Sequence, residues 1–184
     1  MYIYLSRKVK ISVITMVTLI IFSLTYRGWD TFFMIFASVL HELGHIIAAK
    51  LCGAETALVT IGLGGAEMKM RGISSYRDDA VISSGGIICN LLFFVLFFKY
   101  GFGTYNLIYA VLNALPVCGL DGGRTLRALL EMRFGSKADT FCDIVSIATL
   151  FMLWQFSVYL LFKTGANFSL FLFCICIFSS ITDG

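Results

Sequence analysis

Charge is scarce in this chain. Of its 184 residues only 14% are Asp, Glu, Lys or Arg and 59% are hydrophobic, whereas soluble domains carry about 25% charged and roughly 45–50% apolar residues. With a mean hydropathy of +0.89, the composition argues against a soluble globular enzyme. It also excludes disorder, which needs low hydrophobicity and high net charge. A net charge of +3 offers no basic footprint for nucleic acid. A single proline argues against a linker-rich, multidomain layout. Six cysteines are present (Cys52, Cys89, Cys118, Cys142, Cys174 and Cys176), but no CxxC pair, so neither a thiolate zinc motif nor a secreted disulfide framework is indicated. Buried thiols of this kind behave as small hydrophobes. No internal repeat or low-complexity tract occurs. What remains is a small integral membrane protein, read as a single membrane-embedded domain over residues 1–184.

Long apolar runs are abundant. The few charges divide the chain into stretches at residues 11–26, 31–49, 80–98, 100–120, 144–162 and 164–182. A spanning helix needs about 20 mainly apolar residues. The expectation is therefore an all-α polytopic membrane protein with about six transmembrane helices, built on a core at 31–124 with flanking spans at 11–26, 144–162 and 164–182. The first stretch follows basic residues, yet Tyr26-Arg27-Gly28-Trp29-Asp30 lacks a small-residue cleavage pattern. It reads as a retained signal anchor.

Lysine and arginine collect on the cytoplasmic side of membrane proteins. With the N-terminus cytoplasmic, Arg7, Lys8, Lys10, Lys50, Lys69, Arg71, Arg77, Arg124, Arg127, Arg133 and Lys137 fall inside. Only Arg27, Lys99 and Lys163 fall outside, which completes the 14 basic residues. Between the second and third spans, Val59, Ile61 and Leu63 alternate, glycines follow, and Met68 and Met70 alternate with charged residues. Period-two patterning around glycines predicts a short membrane-associated β-hairpin over 59–70 on the cytoplasmic side.

The chain has two histidines, and both lie in His41-Glu42-Leu43-Gly44-His45 within the second span. Residues four apart share a helix face, so two imidazoles there can grip one Zn²⁺ while Glu42 takes a proton from the attacking water. This is the HExxH arrangement of zinc metalloproteases. The plainer alternative is a pair of core histidines beside a buried glutamate. Ionisable groups at bilayer depth are costly and mark functional sites by default, and three together weaken that alternative.

Catalytic zinc takes three protein ligands, and no third histidine exists. The fourth span ends in Asn113-Ala114-Leu115-Pro116-Val117-Cys118-Gly119-Leu120-Asp121-Gly122-Gly123-Arg124. Asp121 is the best candidate. Pro116 breaks helical hydrogen bonding, and the glycines allow close backbone approach. Non-helical backbone at membrane depth is tolerated only inside protein or along a wet cavity. The second and fourth spans run in the same direction. His45 and Asp121 each lie within about 15 Å of the cytoplasmic charges, a shared depth that one metal requires. Cys118, inside the same segment, can approach that metal. Arg124 is left without a role.

Together these motifs resemble the site-2 protease family of intramembrane zinc metalloproteases, particularly its small sporulation-type members without PDZ or CBS domains. The family carries HExxH on one span and Asn-x-x-Pro-x-x-x-x-Asp-Gly on a later one; His41–His45 and Asn113–Gly122 match every fixed position. The likeness covers about residues 31–124. It implies His41, His45 and Asp121 as ligands of one zinc per chain, Glu42 as the catalytic residue, and Asn90 and Asn113 as contacts to the substrate backbone. Family members also carry Gly-Pro-x-x-Asn on the intervening span. Here Gly86-Ile87-Ile88-Cys89-Asn90 lacks the proline, and only Gly86 and Asn90 carry over. For Asn90 and Asn113 interhelical hydrogen bonding is an equal alternative.

The implied activity is a zinc metalloendopeptidase, a hydrolase cutting a membrane-spanning protein or peptide substrate near the cytoplasmic side of the bilayer, probing no nucleic acid, in a bacterial plasma membrane. Two rivals stand beside it. One is another HExxH membrane metalloprotease class with a downstream glutamate as third ligand, for which Glu131 is the sole candidate. The other is a catalytically inactive membrane scaffold of the same fold, against which the intact Glu42 speaks, since zinc binding does not need it. Transport lacks support, because no paired broken helices occur in matching halves.

Overall fold

The computed structural model describes residues 2–6, 9–12, 29–62, 65–72, 75–135, 137–164 and 174. Five long helices run through them: α1 (Trp29–Leu51), α2 (Tyr76–Phe97), α3 (Gly101–Asn113), α4 (Asp121–Phe134) and α5 (Lys137–Thr164). Among the described residues α1, α2 and α5 are long and apolar enough to cross a membrane. Their outward faces remain apolar. Phe32, Phe36, Val39, Leu43 and Ile47 on α1 are exposed, as are Leu91, Leu92 and Val95 on α2 and Ile147, Phe151 and Phe156 on α5. A helix apolar all round needs an apolar surround, which here is lipid.

The inward faces are built from small residues. On α1, Ala37, Leu40, His41, Gly44, His45, Ala48 and Ala49 are buried at helical spacing. Where α1 crosses α2, glycine meets glycine. A Cβ built on Gly85 would lie 2.7 Å from the Gly44 carbonyl oxygen and 2.8 Å from Ala48 Cβ. Without a hydrophobic force between helices in lipid, such close backbone approach is what holds them together. Above the crossing, Ala37, Leu40 and Phe102 form a core with Phe33, Phe93, Tyr105 and Tyr109 packed around it. α2 starts cleanly because the Ser75 hydroxyl accepts the Asp78 amide at 3.2 Å, and Asp78 and Asp79 in the first turn complement the helix dipole.

Four strands form one sheet in the order β1-β2-β3-β4: β1 (Tyr2–Ser6), β2 (Val9–Ser12), β3 (Glu55–Gly62) and β4 (Gly65–Arg71). β3 and β4 pair antiparallel, with Val59 opposite Met68. β2 pairs parallel to β3. The sheet hangs between the end of α1 and the start of α2.

The fourth apolar stretch, 100–120, does not cross as one helix. α3 stops at Asn113 after 13 residues, about 20 Å, well short of a hydrocarbon core about 30 Å thick. Residues 114–120 turn instead. Pro116 has no N–H to continue the ladder, and Gly119 sits at φ +96°, where a side chain is strained. The stretch at 144–162 lies within α5, which begins seven residues earlier. The expected spans at 11–26 and 164–182 fall almost wholly outside the described residues; Ile11 and Ser12 belong to β2.

The glycine crossing yields a prediction. Gly85→Leu drives a side chain into the α1 backbone and is expected to destabilise the fold by at least about 1–3 kcal/mol, read as a lower melting temperature of the purified protein in detergent. Val81→Leu on the outward face, where Val81 is 43% exposed, should leave that temperature unchanged.

Candidate metal centre

Helical spacing brings His41 and His45 to the same buried face of α1, 5% and 7% exposed. Their rings stand edge to face with centroids 4.8 Å apart. Asp121 arrives from the start of α4. Its Oδ2 lies 2.6 Å from His41 Nε2 and 3.0 Å from His45 Nε2, and the two Nε2 atoms are 3.2 Å apart. Among the described residues these three side chains form the one His, Cys, Asp and Glu group able to hold a metal ion.

The protonation of this group decides what it is for. His45 Nδ1 lies 2.8 Å from the Ile82 carbonyl oxygen, an acceptor, so Nδ1 carries the proton. In the neutral ring Nε2 then presents a lone pair. That lone pair faces a carboxylate oxygen and a second imidazole nitrogen, His41 Nε2, whose own Nδ1 is buried without a partner among the described residues. A cation satisfies all three, and a carbonyl fixing the far nitrogen is the usual support of a metal-bound histidine. The spacing also suits zinc: nitrogen ligands about 2.0–2.1 Å from a tetrahedral ion stand about 3.3 Å apart. The donor set of two imidazoles and one carboxylate therefore fits Zn²⁺.

The backbone around the group has been cleared of side chains. A Cβ on Gly86 would fall 2.5 Å from His45 Nε2 and 2.7 Å from His41 Nε2. Only hydrogen at this α2 position lets both rings lie against the helix. On the other side, Gly122 and Gly123 tuck the first turn of α4 beneath the 114–118 loop, where added Cβ atoms would strike the carbonyls of Ala114 and Val117. Asp121 is thereby held at the mouth of the loop, with its side chain 21% exposed.

Glu42 lies between the two histidines in sequence. Its Oε2 is buried with no hydrogen-bond partner among the described residues. A native buried carboxylate oxygen left unpaired calls for an explanation such as a catalytic role. The Tyr109 ring closes one side of the group, 6.4 Å from the His41 ring.

The remaining sequence candidates lie elsewhere. Asn90 is enclosed, 0% exposed, and its Nδ2 donates to the Ala37 carbonyl across the α1–α2 interface at 3.4 Å. In this arrangement it ties two helices. Asn113 donates from Nδ2 to the Tyr109 carbonyl at 3.1 Å, at the half-buried end of α3. Cys118 is not in the metal group: its Sγ lies 3.3 Å from Arg127 Nη2 and 3.6 Å from Asp143 Oδ1. Glu131 lies on α4 outside the group. Sequence reasoning missed the Ile82 carbonyl, which carries no side-chain signal. It also used Gly86 only through the family likeness, although the Gly85-Gly86 pair on an apolar span was visible.

Three comparisons bear on this arrangement. The model of peptidase family M50 matches residues 94–156, the part of the chain that contains Asp121. A curated zinc metalloprotease of Methanocaldococcus jannaschii is 30% identical over 125 residues, which cover 59% of this chain and 37% of that protein. The chain thus spans little more than a third of the length of that relative. The solved site-2 protease from Methanocaldococcus jannaschii shares the fold, with a TM-score of 0.71 at 19% identity over 96% of this chain and 91% of that one. Over these stretches the chain is similar to peptidase family M50 and to a zinc metalloprotease, and it shares the fold of a site-2 protease.

Proposed function

We propose that this protein is an intramembrane zinc metalloprotease that hydrolyses a peptide bond of a membrane-embedded protein or peptide near the cytoplasmic side. One observation carries the reading: two imidazole nitrogens and a carboxylate oxygen, from His41, His45 and Asp121, converge within 3.2 Å, beside a Glu42 oxygen that lacks a partner among the described residues. A scaffold would need the ligands but not that carboxylate.

When bound there, zinc supplies an acidified water and a Lewis acid for a peptide carbonyl. Glu42 is the general base. Its carboxylate takes the proton from the attacking water and returns it to the leaving amine, a contribution of about 10²–10⁴ in rate. Ile82 and Gly86 hold the imidazoles in place. Asn113, at the open end of α3, is the amide placed to donate to a substrate carbonyl, since an NH₂ group has two protons and one is used on Tyr109. Asn90 supports the site by joining α2 to α1. The family's substrate-contact role for it would require that interface to open.

A substrate helix satisfies its own amides and must unwind before attack. β4 lies at one edge of the sheet and leads, through Gly72, towards α2. An edge strand presents unpaired backbone groups, which an extended substrate segment can join as a further strand. The lysine and arginine distribution puts this sheet and the metal centre towards the cytoplasm. The support for the small sporulation-type class and for a bacterial plasma membrane is the motif likeness at His41–His45 and Asn113–Gly122.

Two measurements test the proposal. Glu42→Gln should keep its zinc and lose about 10²-fold or more in cleavage. Cells carrying it should accumulate membrane peptides that cells with the unaltered protein cleave; identical membrane proteomes would favour the inactive scaffold. For the ligand set, Asp121→Ala should abolish stoichiometric zinc while Glu131→Ala retains it. The reverse outcome would move the protein to another HExxH class.

A further inference from the structure

The two halves of the metal group come from α1 and α4, which each pack along α2 and barely meet one another outside the site. α2 supplies no ligand. Yet Asp79, Ile82, Ser83, Gly86 and Asn90 recur on it at helical spacing and form a single stripe, and each touches a part that must be positioned. The Ile82 carbonyl fixes His45 at 2.8 Å. Gly86 lies beneath both imidazoles. Asn90 reaches the α1 backbone at Ala37.

The other two members face α4. Asp79 Oδ1 pairs with Arg124 Nη2, three residues beyond Asp121. Ser83 Oγ lies 2.8 Å from Thr125 Oγ1 and 2.7 Å from the Asp79 carbonyl. A serine has one hydroxyl proton. With that proton given to the Asp79 carbonyl, Thr125 must donate to Ser83. The result is a directed chain, Thr125 to Ser83 to the Asp79 backbone, beside the Asp79–Arg124 ion pair. Both ties grip the first turn of α4, the turn that carries Asp121.

We infer that Asp79, Arg124, Ser83 and Thr125 are positioning residues that clasp α4 to α2 and thereby set Asp121 at bonding distance from the histidines. The inference rests on the reading of His41, His45 and Asp121 as the zinc ligands. Its logic is mechanical. A rigid α2 already registers the imidazoles through Ile82 and Gly86, so locking α4 to the next turn of the same helix fixes the carboxylate relative to them. An isolated surface ion pair is worth little to stability. Its value here is in the placement of a ligand, where loss of a supporting contact lowers metal affinity about 10–100-fold. Arg124 thereby acquires a role: its charge is directed at Asp79.

The test measures zinc affinity of the full chain purified in detergent, by chelator competition, with the absorption bands of the Co²⁺-loaded protein as a report on ligand geometry. Asp79→Asn and Arg124→Gln should each weaken zinc binding at least about tenfold and shift the Co²⁺ bands. Ser83→Ala combined with Thr125→Val should cost no more than Ser83→Ala alone, because that variant already removes the bond between the two hydroxyls. The charge exchange Asp79→Arg with Arg124→Asp should recover most of the affinity. Zinc affinity unchanged within about twofold in both single variants overturns the proposal. So does a fall in the melting temperature of zinc-free protein that accounts for all the lost binding, with no recovery in the exchange. Peptide cleavage is not the readout, so a chain that binds zinc tightly and cleaves nothing would end the proteolytic reading and leave the clasp standing.

Discussion

Two imidazole nitrogens and a carboxylate oxygen meet at one point inside an apolar bundle, an arrangement that a cation bound between them would satisfy. His45 Nε2, His41 Nε2 and Asp121 Oδ2 lie 2.6–3.2 Å apart, and the Ile82 carbonyl, by accepting from Nδ1, holds His45 with Nε2 turned towards the other two. Desolvation makes unpaired polar atoms at such depth expensive. The rest of the molecule is organised around this cluster. Gly44 and Gly85 bring α1 and α2 close enough for the imidazoles to lie on Gly86. Pro116 and Gly119 stop α3 early so that Asp121 can open a new helix at the right depth. The clasp at Asp79 and Arg124 holds that helix in register.

The division of labour among the helices follows from lipid as solvent. Association inside a bilayer gains little from burying apolar surface, so close contact between small residues must supply it. That is why α1 carries glycine and alanine inward and phenylalanine outward. It also explains why polar side chains in the bundle, Ser83, Asn90 and Asn106, spend hydrogen bonds on neighbouring carbonyls. Side-chain ties from both ligand-bearing helices reach α2, which itself supplies no ligand. A site whose ligands come from two helices needs a third element that both can measure themselves against.

Much of the candidate site was legible in the sequence because its chemistry is compositional. Two histidines in 184 residues, four apart and flanking Glu42, admit few readings in an apolar chain, and a carboxylate behind the single proline completes the set. The fold was less legible. Apolar run length identifies the second, third and fifth stretches as α1, α2 and α5, but hydropathy cannot tell a spanning helix from a short helix followed by a buried loop. Residues 100–120 are therefore read as one span and fold as α3 plus a turn. The strands at 2–6 and 9–12 were not anticipated: β1 pairs with β2, and β2 joins the sheet through β3, more than forty residues away, a parallel pairing that no local pattern encodes. Ile82 escaped for a different reason: its contribution is a backbone carbonyl, which any residue possesses.

X-ray absorption at the zinc edge of the purified protein addresses the central claim directly. The account predicts one zinc with imidazole nitrogen and carboxylate oxygen at about 2.0–2.2 Å and no sulfur in the first coordination sphere. A sulfur scatterer near 2.3 Å, which would bring Cys118 to the metal, or an absence of histidine scattering, would contradict it.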